Sequence, residues 1–203
     1  MRLPGREERL RRLTDMRIIL VRHGRSAHVH SGWLDHEGIH AWREKYDAAG
    51  LAAGETPPAA LRDAAARAGL LVASDLPRAI ESASLLCPGC DVVQSPLLRE
   101  VPLPVPRMAR VQLPLSVWGS LIGLAWMRDL ATGRDELHGP ARARAAEAAA
   151  WLSALAAQRG NVMAVTHGAF RRYLFDTLRE SGWRASAARR TWRHWSAWEL
   201  ERG

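Results

Sequence analysis

Two histidines occupy matching points of two distant segments. His23 follows Ile18-Ile19-Leu20-Val21-Arg22 and precedes Gly24, while His167 follows Val162-Met163-Ala164-Val165-Thr166 and precedes Gly168. Short apolar runs of this kind are what parallel strands buried on both faces look like, and ligands of open α/β sheets bind beyond the carboxyl ends of such strands. Laid side by side, the two runs would bring both imidazoles and Arg22 to one edge. That combination suits a phosphoryl group, whose charged non-bridging oxygens need cations and fixed donors. Arg78 adds a second guanidinium near the start of an expected helix, where free N–H groups and the helix dipole favour an anion. One histidine can then serve as nucleophile and the other as a cationic or hydrogen-bonding partner. Gly24 is expected to let the backbone turn tightly and approach a ligand. A lone Arg-His-Gly occurs by chance, and a histidine after a strand is usually a satisfied polar residue. The joint pattern carries the reading.

The elements that must position these residues alternate from Met16 onward. Strands are expected over 17–21, 70–73, 91–94 and 162–166, and helices over 34–46, 58–68, 76–86, 140–158 and 169–180. Gly69 stands where a helix-terminating glycine is expected, Ser74 or Asp75 is a cap for the 76–86 helix, and Pro140 marks a helix start. The tail over 193–200 alternates in period two as a final strand. Three prolines, at 102, 104 and 106, exclude regular structure there. The charge-free stretch 111–127 is broken by Pro114, Gly119 and Gly123 and falls short of the about 20 apolar residues of a membrane span. It reads as a buried or lid helix. Such alternation implies α/β architecture: a mostly parallel central sheet with helices on both faces, a three-layer sandwich. A single domain is expected over 16–203 after a basic extension over 1–15, with 101–138 as a cap or lid insertion. Its apolar part, with Trp118 and Trp126, reads equally as a cap over the pocket, a homodimer surface, or plain core packing.

At 203 residues the chain suffices for one well-buried core. The net charge of +8 rests almost wholly on arginine, Lys45 being the only lysine. Together with many alanines this is most simply a coding bias, so the charge reads as a solvated basic surface rather than a nucleic-acid patch. A positive field still recruits anionic substrates. The charged start is followed by no apolar run of a secretory signal. Cys87 and Cys90 do not make a disulfide framework, and a reducing, cytoplasmic location fits. Neither a membrane nor nucleic acid is expected as partner. Cys87-Pro88-Gly89-Cys90 follows a helix end, where Pro-Gly is turn chemistry, so redox and metal roles are set aside. His28, His30, His36 and His40 are dense enough for a metal but lie in polar, surface-like sequence. Arg189 and Arg190 with Trp192 and Trp195 mix basic and aromatic residues as single-strand binders do, yet the period-two alternation reads first as strand.

With these residues in view, the chain resembles the histidine phosphatase superfamily, in its phosphoglycerate mutase-like branch. Leu20-Val21-Arg22-His23-Gly24-Arg25-Ser26 is similar to the family signature. The stretch 74–83 resembles its second motif, with Arg78 at the phosphate-binding arginine, and Thr166-His167-Gly168 resembles the third. Residues 34–41 resemble the segment between the first two motifs, and Leu97-Leu98-Arg99-Glu100 the stretch holding the catalytic acid. The resemblance covers nearly all the chain from Met16. It implies metal-independent hydrolysis of a small phosphomonoester, with no cofactor. His23 would attack phosphorus and become a phosphohistidine. Arg22, Arg78 and His167 would clamp the oxygens, and Glu100 would protonate the leaving oxygen and then activate water. Attack needs neutral His23, which neighbouring arginines favour by lowering its pKa. Gly168, where the phytase-like branch has an acid, fits the mutase-like branch. Departures from the pattern are Arg25 in place of Glu or Gln, His28-Val29 in place of Trp-Asn, and the prolines after Glu100. They weigh against a bisphosphate mutase. Mutase-type phosphoryl transfer and a non-catalytic phospho-ligand binding module stay open beside hydrolysis.

Overall fold

The computed structural model describes residues 16–30, 32–102, 104–108, 111–132, 138–186 and 190–202. The basic extension expected over 1–15 lies outside them, as does Arg189. Strand β1 (Met16–Arg22) pairs in parallel with β6 (Asn161–Thr166), which pairs in parallel with β3 (Leu70–Ser74), and β3 pairs with β4 (Val92–Ser95). On its other side β1 takes β8 (Ala197–Arg202) antiparallel, and β8 takes the short β7 (Arg184–Ala185) antiparallel. The sheet order is β4-β3-β6-β1-β8-β7. The register sets Arg22 opposite Thr166. The next residue on each strand, His23 and His167, therefore leaves the sheet at the same end.

Alternate residues of β1 and β6 feed two separate cores. Ile18, Leu20, Val162 and Ala164 pack under α5 (His138–Arg159) and α6 (Gly168–Glu180). Ile19, Val21, Met163 and Val165 face α2 (Ala59–Ala66) and α3 (Pro77–Leu86). Both faces are covered, which is why these strands are apolar throughout rather than alternating. The expected three-layer arrangement is the observed one. Helix α5 buries Ala141, Ala145, Ala148, Leu152 and Ala156, a stripe at three- and four-residue spacing whose small side chains let it lie close to the sheet.

The segment before α2 holds α1 (His36–Ala48), begun by Asp35, whose carboxylate accepts the Gly38 N–H at 2.7 Å. A small second sheet pairs β2 (Trp33–Leu34) with β5 (Leu113–Pro114), and β5 leads into α4 (Leu115–Ala131). The buried Trp118 donates its indole N–H to the Leu34 carbonyl at 2.8 Å, hooking α4 onto the start of α1. Among the described residues no helix is long and apolar enough to cross a membrane.

Four local expectations need correction. The final strand is 197–202, not 193–200; Trp195 has a φ of 59° and donates its N–H to the Arg22 carbonyl at 3.1 Å, so 192–196 is a loop. Arg171 holds that loop, donating to the Ser196 and Thr191 carbonyls at 2.6 and 3.0 Å. Gly69 does not end a helix in a left-handed conformation. Its Cβ would lie 2.3 Å from the Arg159 carbonyl oxygen, so glycine serves close backbone approach. Neither Ser74 nor Asp75 caps α3, which starts at Pro77; Asp75 instead forms an ion pair with Arg99 at 2.6 Å. Finally, Cys87 and Cys90, read as no disulfide framework and as fitting a reducing location, are joined in a disulfide across the Pro88-Gly89 turn.

Candidate active site

Arg78 is the second residue of α3 and has no solvent exposure. Its guanidinium sits between the two imidazoles: Nε donates to His23 Nε2 at 3.3 Å and Nη2 approaches His167 Nδ1 at 3.2 Å. The imidazole centroids are 4.9 Å apart. Two further donors are tied back by α1, Nη1 to the Tyr46 carbonyl at 2.9 Å and Nη2 to Asp47 Oδ1 at 3.0 Å, with the Tyr46 ring stacked 4.3 Å from the guanidinium carbon.

The partners fix both tautomers. His23 Nδ1 lies 2.6 Å from the Gly24 carbonyl, an acceptor only, so Nδ1 carries the proton and Nε2 presents its lone pair. His167 accepts at Nδ1 and donates from Nε2 to Ser74 Oγ at 2.9 Å. Burial, and then the Arg78 charge, holds His23 well below the ordinary imidazole range; burial, then His23 and Arg78, does the same to His167. The arginines contribute as expected, but burial is the larger cause.

Arg22 closes the site from the β1 end. One Nη donates to the Trp192 carbonyl, whereas Nε is buried with no acceptor among the described residues and remains an available donor. The guanidinium lies over Gly168, where a Cβ would come within 3.3 Å of Arg22 Cζ. Gly24, expected to let the backbone turn tightly and approach a ligand, is not in the left-handed conformation. A Cβ there would fall 2.5 Å from the Trp195 ring and 2.8 Å from the Glu55 carboxylate, so glycine lets the end of β1 pack against the tail loop. Its N–H donates to Ser82 Oγ at 3.0 Å, and that hydroxyl donates to the Arg78 carbonyl at 2.6 Å. Arg25, the departure from the family pattern, pairs with Glu55 at 2.7 Å.

Glu100 reaches the site from beyond β4. Its carboxylate accepts from the backbone N–H of Val101 (3.0 Å), Ala169 (3.2 Å) and Phe170 (2.8 Å), the last two in the first turn of α6. Arg144, stacked 4.4 Å from the Phe170 ring centroid, donates to the Glu100 carbonyl at 3.2 Å. Glu100 also lines a cavity of about 320 Å³ with Tyr46, Trp42 and Trp126. A larger cavity of about 630 Å³ lies between α5 and α6 and shares Trp126 and Ala169 with the first. Of the two aromatic residues singled out in 111–127, Trp118 is thus core and Trp126 is cavity wall.

Arg22, His23, Gly24, Arg78, Glu100 and His167 are therefore gathered by four elements and their loops. Sequence reading missed Asp47, Tyr46, Ser74, Ser82 and His194. His194 comes from the tail loop: its ring centroid is 5.5 Å from that of His23 and its Nδ1 donates to the His23 carbonyl at 3.1 Å. Burial, then Arg22, lowers its pKa as well. Ser74 was read only as a helix cap, and Ser82 lies unremarked within the 74–83 stretch; Asp47 stands four residues after Arg43 on one helix face, and that pair is 2.6 Å apart. Among the described residues no three side chains with metal-ligating atoms converge, and the four clustered histidines do not form such a group.

Over residues 18–193 the chain matches the histidine phosphatase superfamily (branch 1), and it belongs to that family. No curated protein matches it. Similar solved structures include a mutant phosphoserine phosphatase from Entamoeba histolytica in complex with phosphoserine, 18% identical over 81% of this chain and 80% of that one, with a TM-score of 0.49. A putative α-ribazole-5'-P phosphatase from Escherichia coli is 20% identical over 79% of this chain and 77% of that one, with a TM-score of 0.49. A mycobacterial glucosyl-3-phosphoglycerate phosphatase is 20% identical over 79% and 77%, with a TM-score of 0.39.

Proposed function

We propose that the protein is a metal-independent phosphatase that hydrolyses a small phosphomonoester through a phosphohistidine on His23. One observation carries the reading: His23 Nε2, unprotonated by virtue of the Nδ1 contact to Gly24, faces the Arg78 fork beside His167. In the first step Nε2 bonds to phosphorus as the ester P–O bond breaks, and Glu100 gives its proton to the departing alcohol. In the second, water attacks phosphorus, Glu100 takes a proton from it, and the P–N bond breaks to release inorganic phosphate. Arg78 and Arg22 hold the non-bridging oxygens, and His167 joins them once the charge of the bound phosphoryl group favours a proton on Nδ1. Arg22 Nε, with no partner among the described residues, is a donor open to such an oxygen.

The test is acid-quenched labelling with a phosphomonoester, run beside a phosphatase screen in the presence of a chelator. The expected result is an acid-labile phosphoenzyme and chelator-resistant release of phosphate, both absent from His23→Ala. Binding of phosphoesters without label or turnover would overturn the reading in favour of a binding module. Transfer of the label to a second alcohol rather than to water would assign a mutase.

A further inference from the structure

We infer that the ester's leaving group is uncharged and apolar, about the bulk of one ring, and seats in the cavity between α1 and α4. The inference rests on the phosphatase reading for where the phosphoryl group sits. The cavity begins where the phosphate site ends. The Tyr46 ring covers the Arg78 guanidinium at 4.3 Å and lines the cavity, and Glu100, placed to meet the leaving oxygen, lines it too. Its volume of about 320 Å³ suits a compact group.

The walls are aromatic and aliphatic. Trp42 and Tyr46 stack with centroids 5.1 Å apart and planes 20° apart, and Ile122 and Trp126 of α4 line the same space. The charged groups in the lining, Arg43 and Glu100, are both engaged. Arg43 Nε donates to Asp47 Oδ2 at 2.6 Å and Nη2 to the Val101 carbonyl at 3.3 Å, while Glu100 accepts three backbone N–H bonds. Among the described residues the lining therefore offers a second anionic group no cation that is not already paired with a carboxylate. A carboxylate or second phosphate placed there would lose water and gain no counter-ion. A ring gains burial and stacking instead.

Two glycines, four residues apart on α4, leave the space open. A Cβ at Gly119 or Gly123 meets nothing within 4 Å, so both positions accept a side chain, and that side chain would occupy the cavity. These positions provide a filling test with little strain.

The experiment measures binding to the His23→Ala protein, which separates recognition from turnover. The probes are 2-phenylethyl phosphate, 3-phosphoglycerate and inorganic phosphate; both esters derive from primary alcohols. The expected result is 2-phenylethyl phosphate bound at least about tenfold more tightly than either other probe. Gly123→Leu in the same background should narrow that gap to about threefold or less. Gly119→Leu is the second filling variant should the first fail to fold. Equal or tighter binding of 3-phosphoglycerate, or a preference untouched by both filling variants, would overturn the inference. Wild-type labelling is read separately: its failure would sink the phosphatase reading and leave the binding comparison standing.

Discussion

Asp47 Oδ1 lies 3.0 Å from Nη2 of Arg78, and the arginine is wholly buried while the aspartate side chain keeps 30% of its exposure. The cation that bridges both histidines is thus held by a carboxylate at the end of α1, a helix that also forms one wall of the cavity beside Glu100. Replacing Asp47 by alanine strands a buried charged donor, which costs about 1–3 kcal/mol. A bound anion then becomes the only full counter-charge for Arg78. Asp47→Ala should melt earlier than the parent, and added inorganic phosphate should raise its melting temperature by more than it raises the parent's. Turnover should fall at least roughly tenfold, since small misplacements of a positioning group are costly. Calorimetry with and without phosphate decides the matter. A variant that melts with the parent would show that Tyr46 alone suffices to hold the fork.

Three imidazoles give the fold a definite pH dependence. His23, His167 and His194 all have folded-state pKa values below the ordinary 6.5. Above that value both states are neutral and nothing is gained or lost. As pH falls through about 6.5 the unfolded chain takes up protons that these three sites refuse, so stability declines, and it keeps declining down to the folded pKa values. The urea midpoint should drop on acidification from about pH 7.5 to about pH 5.5, and His167→Phe should flatten part of the slope. Formation of the phosphoenzyme should persist over the same interval, because His23 stays neutral. An acid limb of labelling centred near 6.5 would show an ordinary, solvated imidazole instead.

Much of the arrangement was legible in the chain because strands buried on both faces announce themselves. Residues 18–21 and 162–165 are apolar without alternation, and the polar residue after each run had to emerge at a strand end. The Arg22–Thr166 register then made the histidine pair almost inevitable. What stayed hidden depends on long-range placement. His194 sits in a loop whose period-two alternation imitates a strand; the positive φ of Trp195 and the bonds from Arg171, reaching across from α6, are what make it a loop. Asp47 and Tyr46 belong to a helix that carries no recognisable motif at that end. Strands β2 and β5 are two residues each, too short for any pattern. Gly24 and Gly69 were identified as special, but for turns, whereas both serve close approach. Sequence gives the residue type at such a point and not the neighbour that requires it.

Glu100 has two jobs in one carboxylate, and substitution should expose both. As acceptor of the Ala169 and Phe170 N–H groups it acts as a remote cap for α6, so Glu100→Ala should cost about 0.5–2 kcal/mol of stability. As the proposed proton donor to the departing alcohol, its loss should scale with the basicity of that alcohol. The variant should lose about 100-fold or more in kcat on alkyl phosphates, within the usual contribution of general acid catalysis. On p-nitrophenyl phosphate, whose leaving group needs no proton, the loss should be at least about tenfold smaller. Equal losses on the two esters would reduce Glu100 to a structural cap.

Gly24→Ala isolates the packing of the strand end that carries His23. The added methyl would meet the Trp195 ring at 2.5 Å and Glu55 Oε2 at 2.8 Å, closer than either can remain. Trp195 cannot simply swing away. Its indole N–H donates to the same Glu55 oxygen at 2.7 Å and its backbone N–H to the Arg22 carbonyl at 3.1 Å. Overpacking of this kind costs about 1–3 kcal/mol. The strain falls between His23 and the loop that carries His194, so activity should fall further than stability alone accounts for. Trp195→Phe removes the indole N–H and part of the ring, and combined with Gly24→Ala it should recover part of the lost stability. Thermal melts and phosphatase rates on the two single variants and the double variant test this. Strictly additive losses would show that the methyl introduced by Gly24→Ala is accommodated without touching Trp195.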